Sequence, residues 1–501
     1  MEKIKKENKG YSSRFGMLCV MLAASVGTGN LWRYPRLVCE YGGGFVFVTV
    51  LALILIAIPI VMVETFAGRA SRHSAPGAFR DTIGPKFTWM GTFGTVVYFM
   101  VHSCYIVVLA WCVRYTFMSM GKTYFGVKDK LTLFNDVASG DWITALCWIG
   151  VLILAYLCVT RQSLLEKVTK LMVPALFVIV VILVFYAVTR GGASAGLKYA
   201  FNFGIEDITN STIWIEGMTQ VFWSLGPGMM VAISIAKFAP KNEDIVVNTR
   251  AQGFGDMTFA LLGTLIVLPC IFAFTGSQEE AVELCRTGNN GLTFVGLTSL
   301  FEDIPGGALI GTFFFLALAF AAFSSVIVAT TCYSGIFTDC GMSRKKASAI
   351  VIGGHCLFGL PSILSQDILS NQDTVWGFGV FIGAMMSLFL GIRFGAKKIR
   401  EKFINPVSDK KMGKSFDILV NVVAPVATVA VFVKWIIDSI GWDEQWWNPI
   451  SVSSLGTMVV QWTLALVISL GVNKMVNKKT RGSYVLEEGF DDVPAELMKD
   501  V

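Results

Sequence analysis

The feature that most constrains this chain is a series of twelve apolar stretches, each long enough to cross a bilayer. They fall at roughly 13–38, 43–68, 88–119, 142–160, 165–189, 213–238, 244–274, 307–338, 347–366, 373–395, 416–440 and 453–476. A bilayer core offers no water to backbone N–H and C=O groups, so stretches of this kind fold as helices. Composition agrees, with 54% hydrophobic and 15% charged residues, where a soluble domain carries about 25% charged. The expectation is an all-α membrane protein with twelve transmembrane helices. The net charge of +6 is spread over separate loops, which argues against a nucleic-acid partner.

Those charges set the orientation. Lys3, Lys5, Lys6 and Lys9 lie in a tail at 1–12. Arg69, Arg72 and Arg80 follow the second stretch, and Lys397, Lys398, Arg400 and Lys402 follow the tenth. Placing the N-terminus inside collects most Lys and Arg on one side, while the opposite loops carry "SQEEAVE" and "GWDEQWW". The positive-inside rule then predicts both termini in the cytoplasm, in an integral plasma (inner) membrane protein. The basic tail runs directly into a full span, which predicts no cleaved signal peptide. The cysteines are scattered and offer neither a disulfide framework nor metal-ligand spacing. His73, His102 and His355 are far apart in sequence, so no catalytic or metal constellation is expected and the reading is not an enzyme.

Two spans carry helix breakers near their middle. The first contains "SVGTGNLWRYP", residues 25–35, and the sixth "QVFWSLGPGMMVAIS", residues 220–234. Glycine loosens the backbone and proline removes an N–H donor. Either motif alone reads as a helix-packing contact. Together they open two consecutive five-span units, 1–5 and 6–10. An odd-numbered unit followed by its copy inverts topology, and paired interrupted spans of this kind mark a secondary transporter's binding site. The expected organisation is a tail at 1–12, a first repeat with its outer loop at 13–212 and an inverted second repeat at 213–396. An inner loop with spans 11 and 12 follows at 397–480, then an acidic cytoplasmic tail at 481–501.

The motifs "GNLWRYP", "EYGGGFVF", "IPIVMVETFAGR", "QVFWSLGPG" and "AFAAFSSVIVA", in this order, resemble the neurotransmitter:sodium symporter family, in particular its bacterial amino-acid branch. The resemblance implies the leucine-transporter fold, a 5+5 inverted repeat with two added C-terminal helices. It also implies two sodium ions and no organic cofactor. One ion would be held by the Ser25 carbonyl, Asn30, Ser224 and Asp256, with the substrate carboxylate completing the set. The other would be held by carbonyls of Ala23, Val26 and Ala321 and hydroxyls of Ser324 and Ser325. All are hard oxygen donors, as a hard cation needs. Without the resemblance, the adjacent serines read equally as packing or i−4 bonding.

The resemblance also implies a substrate frame. The Tyr105 hydroxyl and the N–H groups of Thr28 and Gly29 would take a carboxylate. Carbonyls of Ser25, Trp223 and Ser224 would take the amine. Monoamine transporters of the family carry aspartate where this chain has Gly27, so a substrate bringing its own carboxylate is favoured. The side-chain pocket would be lined by Val101, Tyr105, Trp223, Gly226, Met229, Ser325 and Ala329. Gly226, Ala329 and the flexible Met229 leave room, which favours a large apolar or aromatic amino acid.

Two gates are implied. Arg33 and Asp373 would pair on the outer side, although Asp373 also reads as a cap at the start of span 10. Asp339 matches the inner acid. The matching arginine is replaced by Asn8, which makes Lys9 the candidate partner; Tyr11 and Phe238 depart from the family pattern as well. Glu64 would bond the unwound part of span 6. Asp256 lies inside a span, where a charge costs about 2.5–3.5 kcal/mol on insertion scales and is by default functional. Chloride-requiring members are neutral at that position, so Asp256 would supply the counter-charge and chloride would not be required. Alternatives are a betaine-like or GABA-like zwitterion, or an amino-acid sensor that no longer cycles.

Overall fold

A computed structural model of the protein describes residues 10–240, 242–275 and 277–482. Ten of the apolar stretches are long helices, because every backbone group there bonds within its own segment. They are Gly43–Ser71 (span 2), Pro85–Met120 (span 3), Trp142–Val159 (span 4), Gln162–Val188 (span 5) and Ile245–Phe274 (span 7). Then follow Gly307–Asp339 (span 8), Arg344–Leu364 (span 9), Gln366–Phe394 (span 10), Ser415–Ser439 (span 11) and Leu455–Lys479 (span 12).

The other two stretches are broken, as the glycines predict. Span 1 is a helix pair, Arg14–Ser25 and Thr28–Tyr41, bent by 67°. Its inner half ends at Ser25, and Val26 and Gly27 are extended before the chain coils again. Span 6 consists of Ser211–Leu225 and Val231–Ala236. Between them Gly226, Gly228 and Met230 take φ of 78°, 88° and 60°, a left-handed backbone that stops a right-handed helix. Gly228 is dictated twice over, since a Cβ there would lie 2.3 Å from the Ala384 nitrogen of span 10.

Burial orders the bundle. Spans 3, 8 and 10 are 72% buried over their most apolar windows, whereas spans 11 and 12 are 22% and 28% buried. Spans 4, 5 and 9 are 33%, 33% and 39% buried, so these three and the last two helices lie at the periphery, with most of their apolar surface facing lipid. Short helices decorate the ends: Ala75–Ile83 after span 2, and Lys130–Ala138, Ala193–Phe201, Gln278–Arg286 and Leu297–Asp303 in the longer loops.

One boundary differs from expectation. Span 10 starts at Gln366, capped by the Ser365 side chain accepting from the Ile368 N–H. Asp373 therefore lies about two turns inside the helix and is not a cap. The polar run "SQDILSNQD" hid those turns from an apolarity criterion.

Candidate functional site

The two breaks meet. Asn30, in the restarted half of span 1, donates through Nδ2 to Ser224 Oγ of span 6 at 3.1 Å. The same amide donates to Asp256 of span 7, at 2.8 Å to Oδ1 and 3.0 Å to the carbonyl. Ser224 Oγ also donates to Asp256 Oδ1, at 2.7 Å. Asn30 Oδ1 accepts the Gly27 N–H at 2.9 Å, fixing the amide across the break. Three of the four protein groups expected at the first cation site therefore lie within hydrogen-bond reach of one another. The fourth, the Ser25 carbonyl, belongs to the last turn of the inner half-helix, where carbonyls have no intrahelical partner. A carboxylate, an amide, a hydroxyl and free carbonyls suit a hard monovalent cation.

Beside this cluster, Tyr105 of span 3 faces the break. Its hydroxyl oxygen accepts from the Thr28 N–H at 2.9 Å and from the Thr28 hydroxyl at 3.1 Å. Both bonds use the oxygen, so the phenolic proton is left to donate to an acceptor placed beside Thr28 and Gly29. A Cβ on Gly27 would lie 2.9 Å from that hydroxyl, so the position tolerates no side chain without moving Tyr105. Val101, Met229, Ser325 and Ala329 are buried. The Trp223 indole lies against Gly377 of span 10, where a Cβ would come within 2.4 Å of the ring. His102, one turn from Tyr105, contacts its ring edge-on at 5.6 Å. Neither Gly377 nor His102 was singled out in the sequence as part of this pocket.

In the second candidate cation set, Ala23, Ala321 and Ser324 are buried where span 8 packs against the inner half of span 1. Ser324 Oγ donates to the Ala321 carbonyl at 2.9 Å, a bond within the helix, and Val26 sits at the break itself. Glu64 meets its expectation, as its Oε1 accepts the Gly228 N–H and the Ser387 hydroxyl, each at 2.7 Å. That carboxylate holds the unwound segment of span 6 in place.

The gates differ from expectation. Arg33 forms an ion pair with Glu216 at 2.6 Å and donates to Gln220 Oε1 at 2.9 Å. Its pair with Asp373 is not formed among the described residues, and Asp373 is exposed. Glu216, Gln220 and Ser224 recur every fourth residue, which puts them on one face of span 6; that spacing was the available signal. On the inner side, Asp339 accepts from Lys237 Nζ at 2.9 Å and from the Ser74 N–H at 2.7 Å. Lys9 and Asn8 lie outside the described residues. Lys237, which closes span 6, was missed because a basic residue at a cytoplasmic helix end reads as a surface charge. Tyr11 packs edge-on against Phe238 and donates to the Ile235 carbonyl at 3.4 Å.

Two broken helices that meet around a carboxylate in a membrane bundle are the arrangement of a secondary transporter's binding site. The chain belongs to the sodium:neurotransmitter symporter family, whose model matches residues 8–127 and 123–479. It is 28% identical over 85% of its length to an uncharacterized sodium-dependent transporter of Methanocaldococcus jannaschii, covering 90% of that protein. It is 23% identical over 60% of its length to the sodium-dependent neutral amino acid transporter B(0)AT2 of Pongo abelii, covering 46% of that protein. Its fold is similar to that of MhsT, solved in complex with L-phenylalanine, with a TM-score of 0.74 and 24% identity. That match covers 85% of this chain and 99% of the other. The protein is thus a sodium-dependent symporter of the leucine-transporter fold, and an integral membrane protein.

Proposed function

We propose that this symporter imports a neutral, large hydrophobic or aromatic amino acid by alternating access, coupled to two sodium ions, with both termini in the cytoplasm. The observation that carries the reading is the Tyr105 hydroxyl, poised at the Thr28 N–H with its proton unspent and Gly27 bare opposite. That arrangement suits a carboxylate brought by the substrate. The amine would go to carbonyls at the two breaks, and the side chain to the Val101, Trp223, Met229 and Ala329 pocket. The phenylalanine bound by MhsT and the neutral amino acids named for B(0)AT2 support this class. Asn30, Ser224, Asp256 and the Ser25 carbonyl would hold one sodium ion, with Asp256 as the fixed counter-charge. Ala23, Val26, Ala321, Ser324 and Ser325 would hold the other. Chloride would then have no role.

The driving force suffices. Two sodium ions with a zwitterion move two charges, worth about 4.6 kcal/mol at 100 mV. At about 1.4 kcal/mol per tenfold, voltage alone supports more than a thousandfold accumulation.

The test is a thermal-shift screen of the twenty amino acids with and without sodium, followed by uptake of the hits into proteoliposomes. A ligand that binds only the folded state raises its stability. Large apolar or aromatic amino acids should stabilise only with sodium and should accumulate equally well in chloride and gluconate. Stabilisation by betaine or GABA instead would overturn the substrate class. Sodium-dependent binding without uptake would identify a sensor, and uptake that collapses in gluconate would remove Asp256 from its role.

A further inference from the structure

Span 7 carries a second polar feature below Asp256. Asn248, Gln252 and Asp256 recur every fourth residue and all three are buried, above Asp244, whose side chain caps the start of the helix. This spacing stacks them on one face, rising about 6 Å per step. A span that only packed against its neighbours would place apolar groups there.

Each level of the stripe has different surroundings. At the top, Asp256 is bonded to Asn30 and Ser224 at the junction of the two breaks. At the bottom, Asn248 Nδ2 donates to Glu243 Oε1 at 2.8 Å, and Glu243 pairs at 3.2 Å with Arg14, whose side chain is 54% exposed. In the middle, Gln252 is 1% exposed, yet among the described residues neither its amide oxygen nor its nitrogen has a partner. A buried amide is seldom left so, because its desolvation goes uncompensated.

Gln252 and Asn248 border a cavity of about 10 Å³, the space that one water molecule needs. Met17 and Met21 from the inner half of span 1, and Ala232 and Ile235 from that of span 6, form its opposite wall. The wall thus belongs to the two half-helices that end at the breaks. A separate and wider cavity, of about 380 Å³, lies around Asp339, Thr338 and Phe238, and shares no lining residue with the first.

We propose that this face of span 7 is the release route for the sodium ion held at the breaks, with Asn248 and Gln252 as successive oxygen donors between Asp256 and the cytoplasm. The wide cavity near Asp339 is left to the substrate. The proposal rests on the cation-site reading above. Amide oxygens hand a hard cation downward without trapping it, since they carry no net charge. Displacing the inner half of span 1 removes Met17 and Met21 from the path and lets water join the levels. Arg69 also borders the cavity, at its cytoplasmic end, where it donates to the Glu243 carbonyl.

Two measurements test it. In a variant with the native cysteines replaced, Asn248→Cys, Gln252→Cys and a control, Thr338→Cys, are labelled in inside-out vesicles with a small cationic methanethiosulfonate. Cysteines at 248 and 252 should react in sodium-free buffer and be protected by sodium plus amino acid. Labelling of the control alone, under every condition, would overturn the route. The second measurement is release of ²²Na⁺ on dilution from Gln252→Leu, in which the two orphaned amide atoms are removed at similar volume. Sodium-dependent stabilisation should persist while release slows by about tenfold, the scale of one lost bond to a charged group. Release at the wild-type rate would overturn the proposal. A wild-type protein that shows no sodium-dependent stabilisation would instead overturn the cation-site reading on which it rests.

Discussion

Gly27 and Tyr105 form a contact with no slack. The bare α-carbon at 27 permits the hydroxyl to approach, and that hydroxyl caps the restarted helix through Thr28. In Gly27→Ala the new methyl group would stand 2.9 Å from the phenolic oxygen, which must move aside. The expected result is amino-acid affinity lowered about tenfold, one hydrogen bond's worth, with sodium-dependent stabilisation retained; isothermal titration measures the first and thermal shift the second. A second prediction concerns Arg33. Its pair with Glu216 is partly exposed, at 19% and 30% of the side chains, and such pairs contribute only about 0–1 kcal/mol. Glu216→Gln should therefore leave the melting temperature nearly unchanged while speeding substrate dissociation to the outside. Equal off-rates in the variant and the wild type would show that Glu216 does not latch the outer side. The residues at the breaks were legible because glycine, asparagine and arginine stand out in an apolar run. Lys237 and Glu216 were not, since each owes its place to a partner far off in sequence, and charge at a span's end is ordinary.

The span 6 break is built from three left-handed residues and one carboxylate from span 2. Gly228 has two reasons to be glycine: its φ of 88°, and the backbone of span 10 where a Cβ would go. Gly228→Ala should cost about 1–3 kcal/mol from the backbone conformation alone, and more from the clash. It should also detach Glu64, whose bond to the Gly228 N–H requires this geometry. A lowered melting temperature with lost amino-acid binding is expected, while Gly471→Ala, on span 12 with open space around it, should be silent. Both breaks were visible as "GTG" and "GPG", because glycine and proline act locally. The start of span 10 was not, because its first two turns are polar and their helicity comes from the Ser365 cap. The short outer helices escaped for a related reason: they are too short and too polar for a spanning criterion.

Across the whole molecule, the cytoplasmic side is tied together around Asp339 and His73. Asp339 joins span 8 to Lys237 at the end of span 6 and to Ser74 after span 2, and its carbonyl accepts from the Arg481 N–H beyond span 12. His73 stands next to this junction, with Nδ1 at 2.7 Å from Asp81 Oδ2 and Nε2 at 2.9 Å from the Arg481 carbonyl. Burial is the largest influence on this imidazole and opposes its charge. The hydrogen bond to Asp81, the field of Asp339, the Arg481 carbonyl and the charge of Asp81 together outweigh burial and raise its pKa above the ordinary value. The sign of the pH dependence follows. A raised pKa in the folded state means that protonation favours folding, so the contribution is complete below the unfolded value of about 6.5 and disappears as pH rises through the higher folded value. His73→Gln keeps a hydrogen-bonding side chain but cannot carry the charge. The wild type should therefore melt above His73→Gln under mildly acidic conditions. The gap should narrow as the buffer is taken from about pH 6 to about pH 9, because only the wild type has a charge to lose. A gap that stayed constant over this range would mean that the imidazole contributes only packing and neutral hydrogen bonds to the inner junction.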